Sequence, residues 1–90
     1  MKNKIILESL ASDLKRVALG LNRGSVSMAQ RFSKEALMRK NEVDVNKVQP
    51  YMKLILSKME QSIESEENDK RAEDCLMYST LIQNYTRTNL

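Results

Sequence analysis

Apolar side chains recur every three to four positions along most of this chain. Leu7, Leu10, Leu14, Val17 and Leu21, flanked by Ile6, Ala11 and Ala18, trace one stripe of a first helix, and Glu8, Ser12, Lys15 and Arg16 occupy the opposite side. Ile5 and Leu19 fall off that stripe and need either exposure or a second contact. Gly20, Asn22 and Gly24 end the helix on this reading, since glycine and asparagine tolerate the left-handed conformation that follows many helices. Ser25 or Ser27 then caps a second helix with a narrower apolar face, Met28, Ala29, Phe32 and Ala36. Leu37 and Met38 lie off that face, so the second helix either ends early or touches neighbours on two sides.

Asn41–Asp44 reads as the next connection, with Asp44 or Asn46 capping a short lead-in turn and Pro50 in the first turn of a third helix. Val48, Met52, Ile55, Met59 and Ile63, widened by Tyr51 and Leu56, form its stripe; Leu54 is the exception. The stripe shifts by roughly 100° around the helical wheel across residues 65–69, which predicts a break there. Glu67, Asp69, Glu73 and Asp74 suit the positive end of a fourth helix, running from about residue 68 to residue 86. That last helix is apolar over more than half its circumference, through Ala72, Cys75, Leu76, Met77, Tyr78, Leu81, Ile82 and Tyr85. One bundle face covers less than that, which predicts a helix shared with another chain.

Composition supports the helical reading. Ninety residues suit one domain, and two glycines, one proline and 4% aromatic residues leave little for a strand-rich fold. The expectation is an all-α fold, a four-helix bundle or irregular orthogonal array, over residues 1–90. Its single cysteine rules out an intrachain disulfide and suits a reducing cytoplasm. The basic opening is followed by an apolar run of only three residues, Ile5–Leu7, too short for an export signal, and no stretch approaches a membrane span.

The net charge of +3 is unevenly distributed. Residues 1–42 carry nine basic and four acidic side chains, whereas residues 64–74 carry six acidic and two basic, an asymmetry suited to orienting two molecules head to tail.

Candidate chemistry is thin. There is no histidine, so the commonest general base and metal ligand is missing, and no glycine-rich phosphate loop occurs. Cys75 has no activating base in the sequence and reads as core. Glu60, Glu64, Glu67, Glu73 and Asp74 stand at three- and four-residue spacings that hold divalent metal in some helical proteins, which makes a metal-dependent hydrolase the sharpest enzyme alternative. Solvated charge at a helix junction explains them more simply.

Arg23, Arg31, Lys34, Arg39 and Lys40 make nucleic acid a possible partner, though not the favoured one. A helix-turn-helix centred on Gly24 puts Arg23, Ser25 and Gln30 where apolar packing belongs, and no aromatic residue interleaves with the bases. The favoured reading is a non-catalytic interaction or regulatory module without cofactor or membrane attachment. It forms a homodimer or binds a partner protein through Leu19, Leu54, Met77, Tyr78, Leu81 and Tyr85, with the fourth helix at the centre.

Overall fold

A computed structural model describes residues 2–90. The described residues form four helices and no strand: α1 (Lys2–Asn22), α2 (Val26–Glu42), α3 (Pro50–Glu64) and α4 (Asn68–Asn89), with a 3-10 turn at Val45–Lys47 between α2 and α3. The all-α expectation holds, and the break between the third and fourth helices falls at residues 65–67.

Local chemistry sets most of the boundaries. Helix α1 continues past Gly20 to Asn22, and Gly24 alone takes the left-handed conformation, with φ of 72°. Gly20 has a different role from the terminator expected of it. A Cβ there would lie 2.9 Å from the backbone nitrogen of Ala29, so its lack of a side chain lets α1 and α2 approach backbone to backbone. The Ser25 hydroxyl caps α2 by accepting from the Met28 N–H at 3.4 Å. Despite its sparse stripe, α2 runs on to Glu42. Asp44 accepts from the Asn46 N–H at 3.1 Å and starts the 3-10 turn, and Pro50 occupies the first turn of α3, where its missing N–H breaks no helical bond.

Neighbouring helices run antiparallel. Gly20 meets Ala29 while Asp13 meets Arg39, which fixes the opposed directions of α1 and α2. Tyr51 stacks edge-on against Tyr85, and the Ser62 hydroxyl donates to Asp74, which does the same for α3 and α4. Lys2, Asn3 and Leu90 line one cavity, so the start of α1 meets the end of α4. Helix α1 packs against both α2 and α4, α3 leans on α4, and α2 and α3 barely touch.

The core runs the length of α1 through Leu7, Leu10, Leu14 and Val17. It is closed by Met52, Leu56, Met59 and Ile63 of α3 and by Cys75, Ile82 and Tyr85 of α4. Helix α2 contributes only Ala36 to it. Where α2 stops short, Val43 and Val48 of the connecting segment take its place. That segment is clamped to α1: the buried Asn3 amide donates to the Asp44 carbonyl and accepts from the Asp44 N–H, both at 3.0 Å.

Asp13 is a charged residue within this interior and is 3% exposed. Helix α2 lies over it, and the guanidinium Nε of Arg39 reaches to 3.7 Å from its carboxylate.

Candidate functional site

The outer surface of α4 is the most distinctive feature of this bundle. Helix α4 occupies a corner between α1 and α3. Its inner arc, Ala72, Cys75, Tyr78, Ser79, Ile82, Tyr85 and Thr86, is buried by the same chain. The Ser79 hydroxyl donates to the Ala11 carbonyl at 2.7 Å and pins α4 to α1. On the other side the Tyr85 hydroxyl accepts from the Gln49 N–H at 3.1 Å. These anchors orient the helix, and its remaining arc, including Glu73, Leu76, Met77, Thr80, Leu81 and Asn84, faces outward. Leu76, Met77 and Leu81 are 42%, 46% and 40% exposed.

The six residues singled out from the sequence therefore separate. Leu19, Leu54, Met77 and Leu81 are exposed, whereas Tyr78 and Tyr85 belong to the interior of their own chain. The tyrosines turn inward because α3 lies on their side of α4, and the hydroxyl of Tyr85 meets the Gln49 amide at the start of that helix. Leu76, outside the original six, joins the exposed group.

A groove flanks the α4 ridge on each side. Towards α1 it is lined by Glu8, Ser12 and Lys15 against Ser79 and Gln83, with a volume of about 190 Å³. Leu19 continues the same α1 row one turn beyond Lys15. Towards α3 a wider groove of about 530 Å³ is lined by Lys58, Gln61, Lys70, Asp74 and Tyr78. Leu54 lies one turn from Lys58, on the same rim. The Tyr51–Tyr85 and Ser62–Asp74 contacts set a register that brings Leu54 opposite Leu81 and Ile82. Leu19, Leu54, Leu76, Met77 and Leu81 thus lie on the ridge of α4 and on its two shoulders, while Ile5 of α1, Val26 and Met38 of α2, Val45 and Tyr51 are exposed outside that ridge.

The cationic candidates divide as well. Lys40 forms a 2.7 Å ion pair with Glu60 of α3, and Arg39 sits between Asp13 and Glu42 at 3.7 and 3.6 Å. Both are engaged in holding the bundle together. Arg23, Arg31 and Lys34 have no ion-pair partner among the described residues. Arg31 and Arg16 each place a guanidinium 5.3 Å from the centre of the ring of Phe32, which is half-buried against the core.

The carboxylates proposed as metal ligands do not converge. Glu60 is paired with Lys40, Asp74 accepts from Ser62, and Glu64, Glu67 and Glu73 point to solvent. Among the described residues no three of His, Cys, Asp and Glu are grouped to hold a metal ion.

Among the described residues two titratable groups are shifted. Burial and the nearby Glu35 push the Asp13 carboxyl above its ordinary range, against the opposing pull of Arg39 and Arg16. Burial raises the Cys75 thiol to about 11, with Asp74 adding to the rise and Arg71 opposing it, so it stays protonated at neutral pH and is a poor nucleophile.

No helix among the described residues is long and apolar enough to cross a membrane. No protein-family model matches the chain, and no curated protein or solved structure matches it.

Proposed function

We propose that this chain acts by binding and not by catalysis, as a small helical interaction module that self-associates through α4. One observation carries the reading: once α4 has filled its place in the core, Leu76, Met77 and Leu81 remain uncovered along one helix, with Leu19 and Leu54 on its shoulders. Isolated exposed apolar residues are ordinary on any protein, but a group gathered on one ridge marks a contact surface. Tyr78 and Tyr85 drop out of the contact set because they are committed to the interior.

A buried, protonated thiol as the only cysteine suits a reducing compartment, and we place the protein in the cytoplasm. The test is the mass in solution. Wild-type protein should behave as a dimer by light scattering, and the double variant Met77→Glu/Leu81→Glu as a folded monomer by mass and circular dichroism. A wild-type monomer at every accessible concentration refutes self-association.

A further inference from the structure

The charges at the two ends of the α4 ridge indicate how a second copy sits on it. At one end, the 65–67 turn and the first turns of α4 expose Glu66, Glu67, Asp69 and Glu73 against Lys70. At the other, Arg87 stands exposed in the last turn of α4 and Lys4 stands exposed near the start of the antiparallel α1, while Lys2 shares a cavity with Lys47, Glu42 and Asp44. Glu66, Glu67, Asp69, Glu73, Lys70, Arg87, Lys2 and Lys4 all lie beyond ion-pair distance of an opposite charge among the described residues. Between the two ends lie the uncharged Leu76, Met77, Thr80, Leu81 and Asn84.

We propose that a second copy of this chain covers the ridge in antiparallel orientation, with the two-fold axis near Thr80. This proposal rests on the self-association reading above and specifies its geometry. A two-fold interface applies the same patch twice, so an antiparallel pairing sets each acidic end on the partner's basic end. A parallel pairing sets acid on acid and base on base, and aligns the two helix dipoles unfavourably. The ridge is uncharged at its middle, where Leu76, Met77 and Leu81 flank Thr80, and charged at its ends, a distribution that suits a desolvated centre with a polar rim.

Size sets a further requirement. A helix of this length is about 33 Å long and about 10 Å wide, which falls well short of the roughly 800 Å² per partner of a stable interface. The shoulders must therefore join, and Leu19 and Leu54 are positioned to meet the partner's flanks.

Single cysteines read the orientation directly, and the native Cys75 is buried and does not compete. Oxidised Thr80→Cys should migrate at twice the mass of the chain. A mixture of Glu73→Cys and Arg87→Cys proteins should give a mixed disulfide, while Glu73→Cys alone should give none. Raising the salt concentration should weaken the wild-type dimer, and charge reversal at both sites, Glu73→Arg with Arg87→Glu, should restore dimerisation lost in either single reversal. A dimer that cross-links through Glu73→Cys alone overturns the antiparallel geometry while leaving self-association standing. A dimer in which Thr80→Cys stays reduced removes the α4 ridge from the interface. A monomer under all conditions overturns both this geometry and the reading it rests on.

Discussion

In the α1–α2 hairpin, charge is drawn inward: Asp13 is buried beside Arg39, Arg39 also reaches Glu42, and Arg16 and Arg31 lie over Phe32. In the α3–α4 hairpin the arrangement is reversed. Its acidic residues are gathered at the turn and left largely unpaired, while Leu54, Leu76, Met77 and Leu81 face solvent. The first hairpin thus draws charge beneath α2 while leaving Asp13 Oδ2, Ser33 Oγ and Arg39 Nε without hydrogen bonds among the described residues, and it exposes Ile5, Val26 and Met38; the second keeps its acidic residues in water and gathers Leu76, Met77 and Leu81 along one helix. The contrast teaches that where a small bundle buries its charges and where it exposes its apolar side chains are separate choices, with separate consequences for stability and for binding.

The largest expected difference lies within α4. Ile82, fully buried, and Leu81, on the ridge, are adjacent in sequence. Ile82→Ala should cost about 2–5 kcal/mol of folding stability in a urea titration. Leu81→Ala should leave monomer stability within about 0.5 kcal/mol while weakening association. Equal losses at the two positions would show that the ridge is part of the core.

The next test lies in the first hairpin. Gly20→Ala forces a methyl group against the α2 backbone and should cost about 1–3 kcal/mol, read from the same titration. Gly20 sits deep in the α1–α2 contact, so the loss appears without a change in dimer mass. Tyr85→Phe removes the acceptor of the Gln49 N–H at the α3–α4 seam and should cost about 1 kcal/mol, with the helical circular dichroism retained.

Asp13→Asn gives the smallest effect and the one with a pH signature. Because the folded state raises the Asp13 pKa, it holds the proton more tightly than the unfolded chain does. The contribution of this group to stability therefore declines as pH rises from the ordinary carboxylate value through the raised folded one, and the penalty is complete above it. The asparagine variant lacks that titration. The stability of Asp13→Asn relative to wild type should increase with pH across this window, measured as the difference in urea midpoint. A flat difference would show that Arg39 and Arg16 fully offset burial.

Much of the architecture was legible from spacing alone. The stripes of α1 and α3 carry Leu7, Leu10 and Leu14, and Met52, Met59 and Ile63, into the core as expected, and the break before α4 follows from the shift in its stripe. What the pattern hid was buried polarity. Asn3, Asp13, Ser33, Ser79 and Thr86 are polar and belong to none of the apolar stripes, yet all are buried. For Asn3 and Ser79 the reason lies in backbone partners 41 and 68 residues away, which no local periodicity reveals. Asp13 is covered by Arg39 of the neighbouring helix.

The same limit applies to α4. Its apolar circumference was readable, but the division between Tyr78 and Tyr85 inside and Leu76, Met77 and Leu81 outside depends on where α3 lies. Sequence spacing identified an excess of apolar surface; tertiary packing decided which residues make it up.

Cys75 gives the bundle an internal clock. Its sulfur is fully enclosed and uncharged at neutral pH, so an alkylating reagent reaches it only when α4 lifts from its neighbours and the thiol ionises in water. The rate of labelling of the unmodified protein therefore counts openings of that helix, with no probe introduced.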